Sequence, residues 1–310
     1  MQSPVRNTEY LEFPSLNNMV GVRIIFVSEL QQQTHSFKFR AAWSVVSNID
    51  ADGFIAASSG NFGQALAYAC LLQQRKCIVV MPTTSAQVKI DAVRSHGAEV
   101  VFVDTSIQSR ADKVAEIAKL YPSFHVASAY DCDWVIQGNS SLGHELVHKM
   151  QAEDIAIDAI FVPVGGGGLI AGISMAVRKH GCLSRIIGAE PAMADDAYRS
   201  LQVGHICVNQ GEPQTIADGA RTHSVGMKNW NIISKAVNDI VLVSEQEIVH
   251  AVQMFHAVGI RVEPTGALGL AGVCRALQNE IVQPNSCVMA VISGGNVDET
   301  VYQSILEGNI

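Results

Sequence analysis

Basic residues are scarce in this sequence: 21 lysines and arginines stand against 29 aspartates and glutamates, a net charge of −8. A surface short of cations disfavours nucleic acid or an anionic membrane as the main partner, so any bound anion must be held locally. Long apolar runs are also missing. No segment nears the roughly 18 residues that span a bilayer, and Met1 to Tyr10 has no signal-peptide core, so neither a membrane anchor nor a leader is expected. Charged residues make up only 16% of the chain against 48% hydrophobic, too apolar a balance for disorder. The 25 glycines follow no collagen-like period, which leaves tight turns as their use. Seven cysteines, an odd number without a CxxC pair, argue against a disulfide framework or a structural zinc site and point to a reducing, cytoplasmic setting. Cysteines 70, 77, 274 and 287 lie in apolar segments and are read as buried, unreactive thiols. The ten histidines are read as structural or surface residues, His35, His144 and His223 among them, with no HExxH pairing assigned.

What is present is a rhythm of short β-branched runs and amphipathic helical patterns. Gly53–Ala57, Cys77–Met81, Glu99–Val103 and Phe124–Ala127 read as strands, with helices over 63–73, 86–96 and 110–120 between them. A second series follows: Asp158–Val164, Arg185–Ala189, Asp239–Val243 with a helix after Ser244, and Cys287–Ile292. Strands alternating with crossover helices predict an α/β chain with parallel sheets. No flexible linker separates the two series, so a packed crossing is expected between them.

The sharpest motif is Gly165-Gly166-Gly167-Gly168, four glycines that leave a strand and open a helix. Successive glycines let several N–H groups converge on one anion, aided by the helix N-terminus. The spacing fits neither GxxxxGK[ST] nor GxGxxG, which favours a phosphate cradle of another kind over a nucleotide loop. Three further segments end strands where α/β folds place ligand loops: Ser58 to Gln64, Glu190 to Asp196 and Ser293 to Asn296. Near the start, Lys38 stands between Phe37 and Phe39. Aromatic neighbours that desolvate an amine lower its pKa and make it nucleophilic, as Schiff-base lysines require. Together with a phosphate cradle, this suggests a carbonyl cofactor bearing a phosphate.

With those segments, the sequence resembles the pyridoxal phosphate enzymes of fold type II, in the threonine/serine dehydratase and serine racemase branch. The matches are Ser36-Phe-Lys-Phe-Arg40, Ser58-Ser-Gly-Asn61, the tetraglycine loop, Ala189-Glu-Pro191 with Ala194-Asp-Asp196, Thr215 to Gly219, Val262 to Leu268 and Ser293-Gly-Gly-Asn296, in the family's order. The resemblance implies two domains, each an open, mainly parallel twisted sheet flanked by helices. It places a small inserted domain at 50–131 and a large one at 1–49 plus 132–310. Lys38 would carry the cofactor as an internal aldimine, with Phe37 packed on its ring, Asn61 on its ring oxygen, Gly165 to Gly168 on the phosphate and Ser293 at the pyridine nitrogen, Glu263 and Gly294 also binding it. Ser58, Ser59, Gly60, Asn61 and Thr222 would bind the substrate, and Ser59 matches the opposite-face acid/base of the racemases. Glu190, Asp196 and the carbonyl of Ala194 match a Mg2+ or Ca2+ site. A homodimer is implied as well.

A serine at the pyridine nitrogen leaves a weak electron sink, which suits loss of a β-substituent better than transamination. The expected reaction is therefore elimination of water from a small β-hydroxy amino acid to give a 2-oxo acid and ammonia. Racemisation through Lys38 and Ser59 is the alternative; β-replacement and a non-catalytic sensor stand behind it. Three departures border the substrate side: Phe62 where the family usually has His, Ala41 for Gly, and a GQGTxxxE segment read as two residues longer over Gln137 to Glu145. The chain ends soon after Asn296, so no regulatory domain is expected.

Overall fold

A computed structural model describes residues 3–309. The elements run β1 (Glu9–Leu11), α1 (Pro14–Val20), β2 (Arg23–Ser28), α2 (Lys38–Asn48), β3 (Gly53–Ala57), α3 (Asn61–Leu72), β4 (Lys76–Pro82), α4 (Gln87–Arg94), β5 (Glu99–Val103), α5 (Arg110–Leu120) and β6 (Phe124–Val126). They continue with α6 (Asp133–Ala152), β7 (Ala159–Pro163), α7 (Gly168–Lys179), β8 (Arg185–Pro191), α8 (Asp196–Val203), α9 (Met227–Ala236), β9 (Asp239–Val243), α10 (Glu245–Ala257), α11 (Pro264–Gln278), β10 (Cys287–Ile292) and α12 (Glu299–Glu307).

Two sheets form. The larger has the order β1-β2-β10-β7-β8-β9 and is parallel except for the edge strand β1, which pairs antiparallel with β2. The smaller, β5-β4-β3-β6, is parallel throughout. Both are expected of strands that are apolar on both faces, since crossover helices must cover each side. In β10, Val288, Ala290 and Ile292 join one core with Phe26, Phe161 and α11, while Met289 and Val291 join another with Ile25, Val162 and α7. Side-chain alternation along a strand thus feeds two separate cores from one sheet. The small sheet divides likewise: Phe54, Val79 and Met81 face α2 and α3, whereas Ile55, Ile78 and Val80 face α5.

Local signals explain several boundaries. Ser244 and Glu247 form a reciprocal capping box that starts α10. Asp298 caps α12 by accepting from the N–H groups of Thr300 and Val301. Helix α2 begins on Lys38 yet buries Phe39, Ala42, Val45 and Val46 against the small sheet's core, so the element carrying the lysine bridges both sheets. Strand β2 escaped the sequence reading although Val22-Arg-Ile-Ile-Phe-Val27 carries the β-branched signal that would have found it. Gly138 fixes where α6 crosses α2: a Cβ there would lie 2.4 Å from the Arg40 carbonyl oxygen.

Candidate active site

Lys38 sits in the first turn of α2, half-buried between the sheets. Its Nζ donates to the Ala129 carbonyl at 3.0 Å and lies 4.9 Å from the Phe37 ring centre and 6.0 Å from that of Phe62. Burial pushes its pKa down from 10.5 to about 8, opposed by the nearby Glu263. An amine with little water and two aromatic rings beside it loses much of its preference for the charged form. Phe62, read as a change on the substrate side, is 2% exposed, packs in the small-sheet core and also borders the lysine.

Tyr130, next in sequence to the lysine's acceptor, leans on the glycine loop. Its ring fills the space that a Cβ on Gly166 would need, and its carbonyl oxygen closes on Gly168. Gly167 has φ +87°, the left-handed region that favours glycine, and caps α7. The loop is braced from behind, where the Gly166 carbonyl accepts from the N–H of Gly226 at 3.1 Å and from Asn229 Nδ2 at 2.6 Å. The N–H groups of Gly165, Gly166, Gly167 and Gly168 donate to no protein acceptor among the described residues. Adjacent donors left unpaired at a helix N-terminus fit a phosphate, so the residues present suit the phosphorylated cofactor that the sequence suggests.

The remaining predicted residues gather from three loops. Asn61 opens α3 and donates through Nδ2 to both Glu263 oxygens, at 2.7 and 3.0 Å, while its Oδ1 accepts from Asn296 at 2.8 Å. Burial, with the charge of Asp218 nearby, holds Glu263 well above the usual carboxylate range. Gly294 leaves room for that carboxylate, because a Cβ there would meet Glu263 Oε1 at 2.6 Å. Ser293, 1% exposed, places its Oγ 3.4 Å from the Thr265 carbonyl, and its own carbonyl accepts from the Phe37 N–H at 3.0 Å. Ser58 uses its hydroxyl to accept from Gly60 and Gly63 N–H groups and so shapes the turn, with Ser59 half-buried on it. A cavity of about 290 Å³ adjoins this turn, lined by Gly60, Asn61, Gln64, Lys89, Asn296 and Asp298. Lys89 of α4 spans from the small sheet's helices to Asp218 at 2.5 Å. Thr222 comes from another loop: its carbonyl accepts from Asn209, and its buried Oγ1 has no partner among the described residues.

Sequence reasoning missed the anchor beneath the lysine. Arg40, 1% exposed, binds both oxygens of Glu29 at 2.7 and 2.9 Å and both of Glu145 at 2.6 and 3.1 Å. Glu145 also accepts from the Thr8 N–H at 2.7 Å, which ties the N-terminal segment in. Arg40 lies two residues beyond Lys38, so this bidentate network fixes the start of α2. The segment read as two residues longer is corrected here. Gly138 to Glu145 spans eight residues, the spacing of GQGTxxxE, inside a helix that runs unbroken from Asp133 to Ala152.

Glu190 and Asp196 come together behind the glycine loop, both fully buried. Glu190 accepts from Ala197 and Tyr198 N–H groups, and Asp196 accepts from Asn209 Nδ2 and the Val225 N–H. Neither carboxylate joins a salt bridge among the described residues. Burial raises both, Glu190 further through Asp196 and Asp196 to about 6. Two buried acids lacking a cation fit a divalent ion in charge, with Ala194 in the adjoining 3-10 turn, although among the described residues no third acidic, His or Cys side chain converges with them.

The reading of the histidines as unpaired is also corrected. His144-Glu145-Leu-Val-His148 has HExxH spacing on α6. Its glutamate faces inward to Arg40, so it is not available as the base of a metalloprotease. Of the cysteines read as buried, Cys70 and Cys77 are, whereas Cys274 and Cys287 are half-buried; all seven are free thiols.

Two parallel-rich sheets, a half-buried lysine held on Ala129 and a glycine cradle of unpaired donors against the next residue, Tyr130, define an α/β enzyme class built around a phosphorylated carbonyl cofactor. The family model described as pyridoxal-phosphate dependent enzyme matches residues 1–294, and the chain belongs to that family, fold type II. It is similar to serine racemase of Rattus norvegicus, 34% identical over 97% of this chain and 91% of the racemase. It is also similar to L-threo-3-hydroxyaspartate ammonia-lyase of Pseudomonas sp, 36% identical over 95% of this chain and 91% of the lyase. Among solved structures, maize serine racemase superposes with a TM-score of 0.89 at 30% identity, covering 98% of this chain and 93% of the racemase. No helix of the described residues is long and apolar enough to cross a membrane.

Proposed function

We propose that this enzyme removes water from a small β-hydroxy amino acid, of the size of serine, threonine or 3-hydroxyaspartate, to give a 2-oxo acid and ammonia. The observation that carries the reading is the Lys38 amine, buried on Ala129 with its pKa lowered toward neutrality, across Tyr130 from the unpaired glycine N–H groups. Relatives named as ammonia-lyases and racemases support the same substrate class.

Lys38 would hold pyridoxal phosphate, Gly165 to Gly168 its phosphate, and Phe37, Asn61, Glu263, Ser293 and Gly294 its ring. Bound there, the cofactor supplies an aldehyde for the substrate amine and an electron sink that acidifies the Cα proton. The neutral Lys38 amine takes that proton. Ser58, Ser59, Gly60 and Asn61 place backbone N–H groups at the start of α3, where a substrate carboxylate is attracted. The β-hydroxyl leaves with a proton as water, which balances the proton taken by Lys38, and a second water hydrolyses the released enamine to the 2-oxo acid and ammonia. Ser59 would return a proton on the opposite face in the competing racemisation, and Thr222 would border the substrate.

Residues 50–131 would form a small domain and 1–49 with 132–310 a large one, a division supported by the four-stranded sheet. Glu190, Asp196 and the Ala194 carbonyl would hold Mg2+ or Ca2+. A cytoplasmic homodimer completes the proposal, supported by the free thiols and the family resemblance. The test is a panel of L-serine, L-threonine and L-threo-3-hydroxyaspartate, followed for 2-oxo acid release and by chiral chromatography. Release of 2-oxo acid is expected; inversion without release would favour the racemase, and no change in any substrate would overturn both.

A further inference from the structure

Away from the cofactor site, three imidazoles meet on one outer surface. His144 and His148 stand one turn apart on α6, and His180 caps the C-terminus of the neighbouring α7. His144 Nδ1 lies 2.8 Å from His180 Nε2. The His144 and His148 ring centres are 5.0 and 5.6 Å from that of His180, nearly perpendicular to it in both cases. We propose that His144, His148 and His180 form a binding site for a divalent transition metal of the zinc class.

Metal–nitrogen bonds of about 2.0–2.1 Å at tetrahedral angles put two ligating nitrogens about 3.3 Å apart, so the His144–His180 hydrogen bond at 2.8 Å would open by about half an ångström and give up its bridging proton as the ion enters. The imidazole side chains also fix the class of ion, since neutral nitrogen ligands suit zinc, nickel and copper and not magnesium or calcium. Among the described residues no three such side chains yet converge on one point. His148 completes the set by turning on its exposed side chain, which makes no hydrogen bond that must break. A fourth position is left to water. Glu145, bound to Arg40, stays outside the coordination sphere, so the site binds and does not hydrolyse.

The bound ion would staple α6 to α7, the helix that opens from the glycine loop. The experiment titrates chelator-treated holoenzyme with Zn2+ by calorimetry and follows the melting temperature in parallel. One micromolar-range site per chain and a raised melting temperature are expected. His148→Ala and His180→Ala should each weaken the site at least tenfold and remove the melting shift, leaving 2-oxo acid release without zinc unchanged. No binding by the unaltered enzyme, or less than tenfold weakening in either variant, overturns the assignment and returns any zinc uptake to the thiols or to Glu190 and Asp196.

Discussion

Asn61 and Glu263, 202 residues apart in the chain, share two hydrogen bonds from one amide to one carboxylate, at 2.7 and 3.0 Å. The bond joins the turn that starts α3 to the residue that starts α11, and so connects the helices of the small sheet to those of the large one. Removing the amide by Asn61→Ala leaves a buried carboxylate with no donor, which costs about 1–3 kcal/mol. Urea unfolding of the cofactor-free protein should show that loss. A midpoint equal to that of the unaltered chain would remove the bond from the account of the site.

Lys38 sets the pH dependence. Its neutral amine is the form that attacks an aldehyde, so the rate at which the cofactor-free protein takes up pyridoxal phosphate should rise with pH through about 8 and then level off. Lys38→Ala should lose the bound cofactor's visible absorbance and reduce 2-oxo acid release by about 10²-fold or more. Stability has its own signature in the cofactor-free protein. The folded pKa of about 8 lies below the ordinary 10.5, so between them the unfolded chain binds more protons and stability rises with pH. Measured against Lys38→Met, the cost of burying the charge should be full below about 8 and fade towards 10.5. A flat difference across that window would contradict the burial of the amine.

Arg40 should be intolerant of change. Arg40→Met strands Glu29, which has no exposed surface, and frees Glu145, so a loss of about 3–5 kcal/mol is expected in chemical denaturation. Replacing Arg40, Glu29 and Glu145 together with apolar residues should recover part of it. A triple variant no better than the single one would mean that packing, not the stranded charge, sets the cost.

The candidate cation site also has a pH signature. Burial raises Asp196 from 3.8 to about 6, so without a cation stability falls as pH rises between those values, where the folded state holds the extra proton. Mg2+ should raise the melting temperature at pH about 7.5, where the carboxylates are ionised, and much less at pH about 5. Asp196→Asn should abolish the difference. Identical melting in chelator and in Mg2+ at the higher pH would count against the site.

The sequence made the strand rhythm plain because β-branched runs such as Cys287 to Ile292 are apolar on both faces and bounded by turns, and Asp239–Val243 and Gly53–Ala57 match their strands residue for residue. Lys38 and the glycine loop were legible because their chemistry is local: a lysine between aromatics, glycines between a strand and a helix. What a linear reading could not supply was convergence. The Arg40 network draws on Thr8, Glu29 and Glu145, and nothing in their spacing says that these meet. Phe62 was legible as a substitution and not as a neighbour of Lys38, for the same reason. HExxH lay in plain view, yet only the fold adds His180 to it.

Phe37 is tied through its N–H to the Ser293 carbonyl of the large sheet, while the next turn of α2 packs into the small sheet's core. The helix that carries the lysine therefore belongs to both sheets at once, and Asn61 and Lys89 add two further crossings, to Glu263 and to Asp218. Parting the two sheets would have to break both of these bonds.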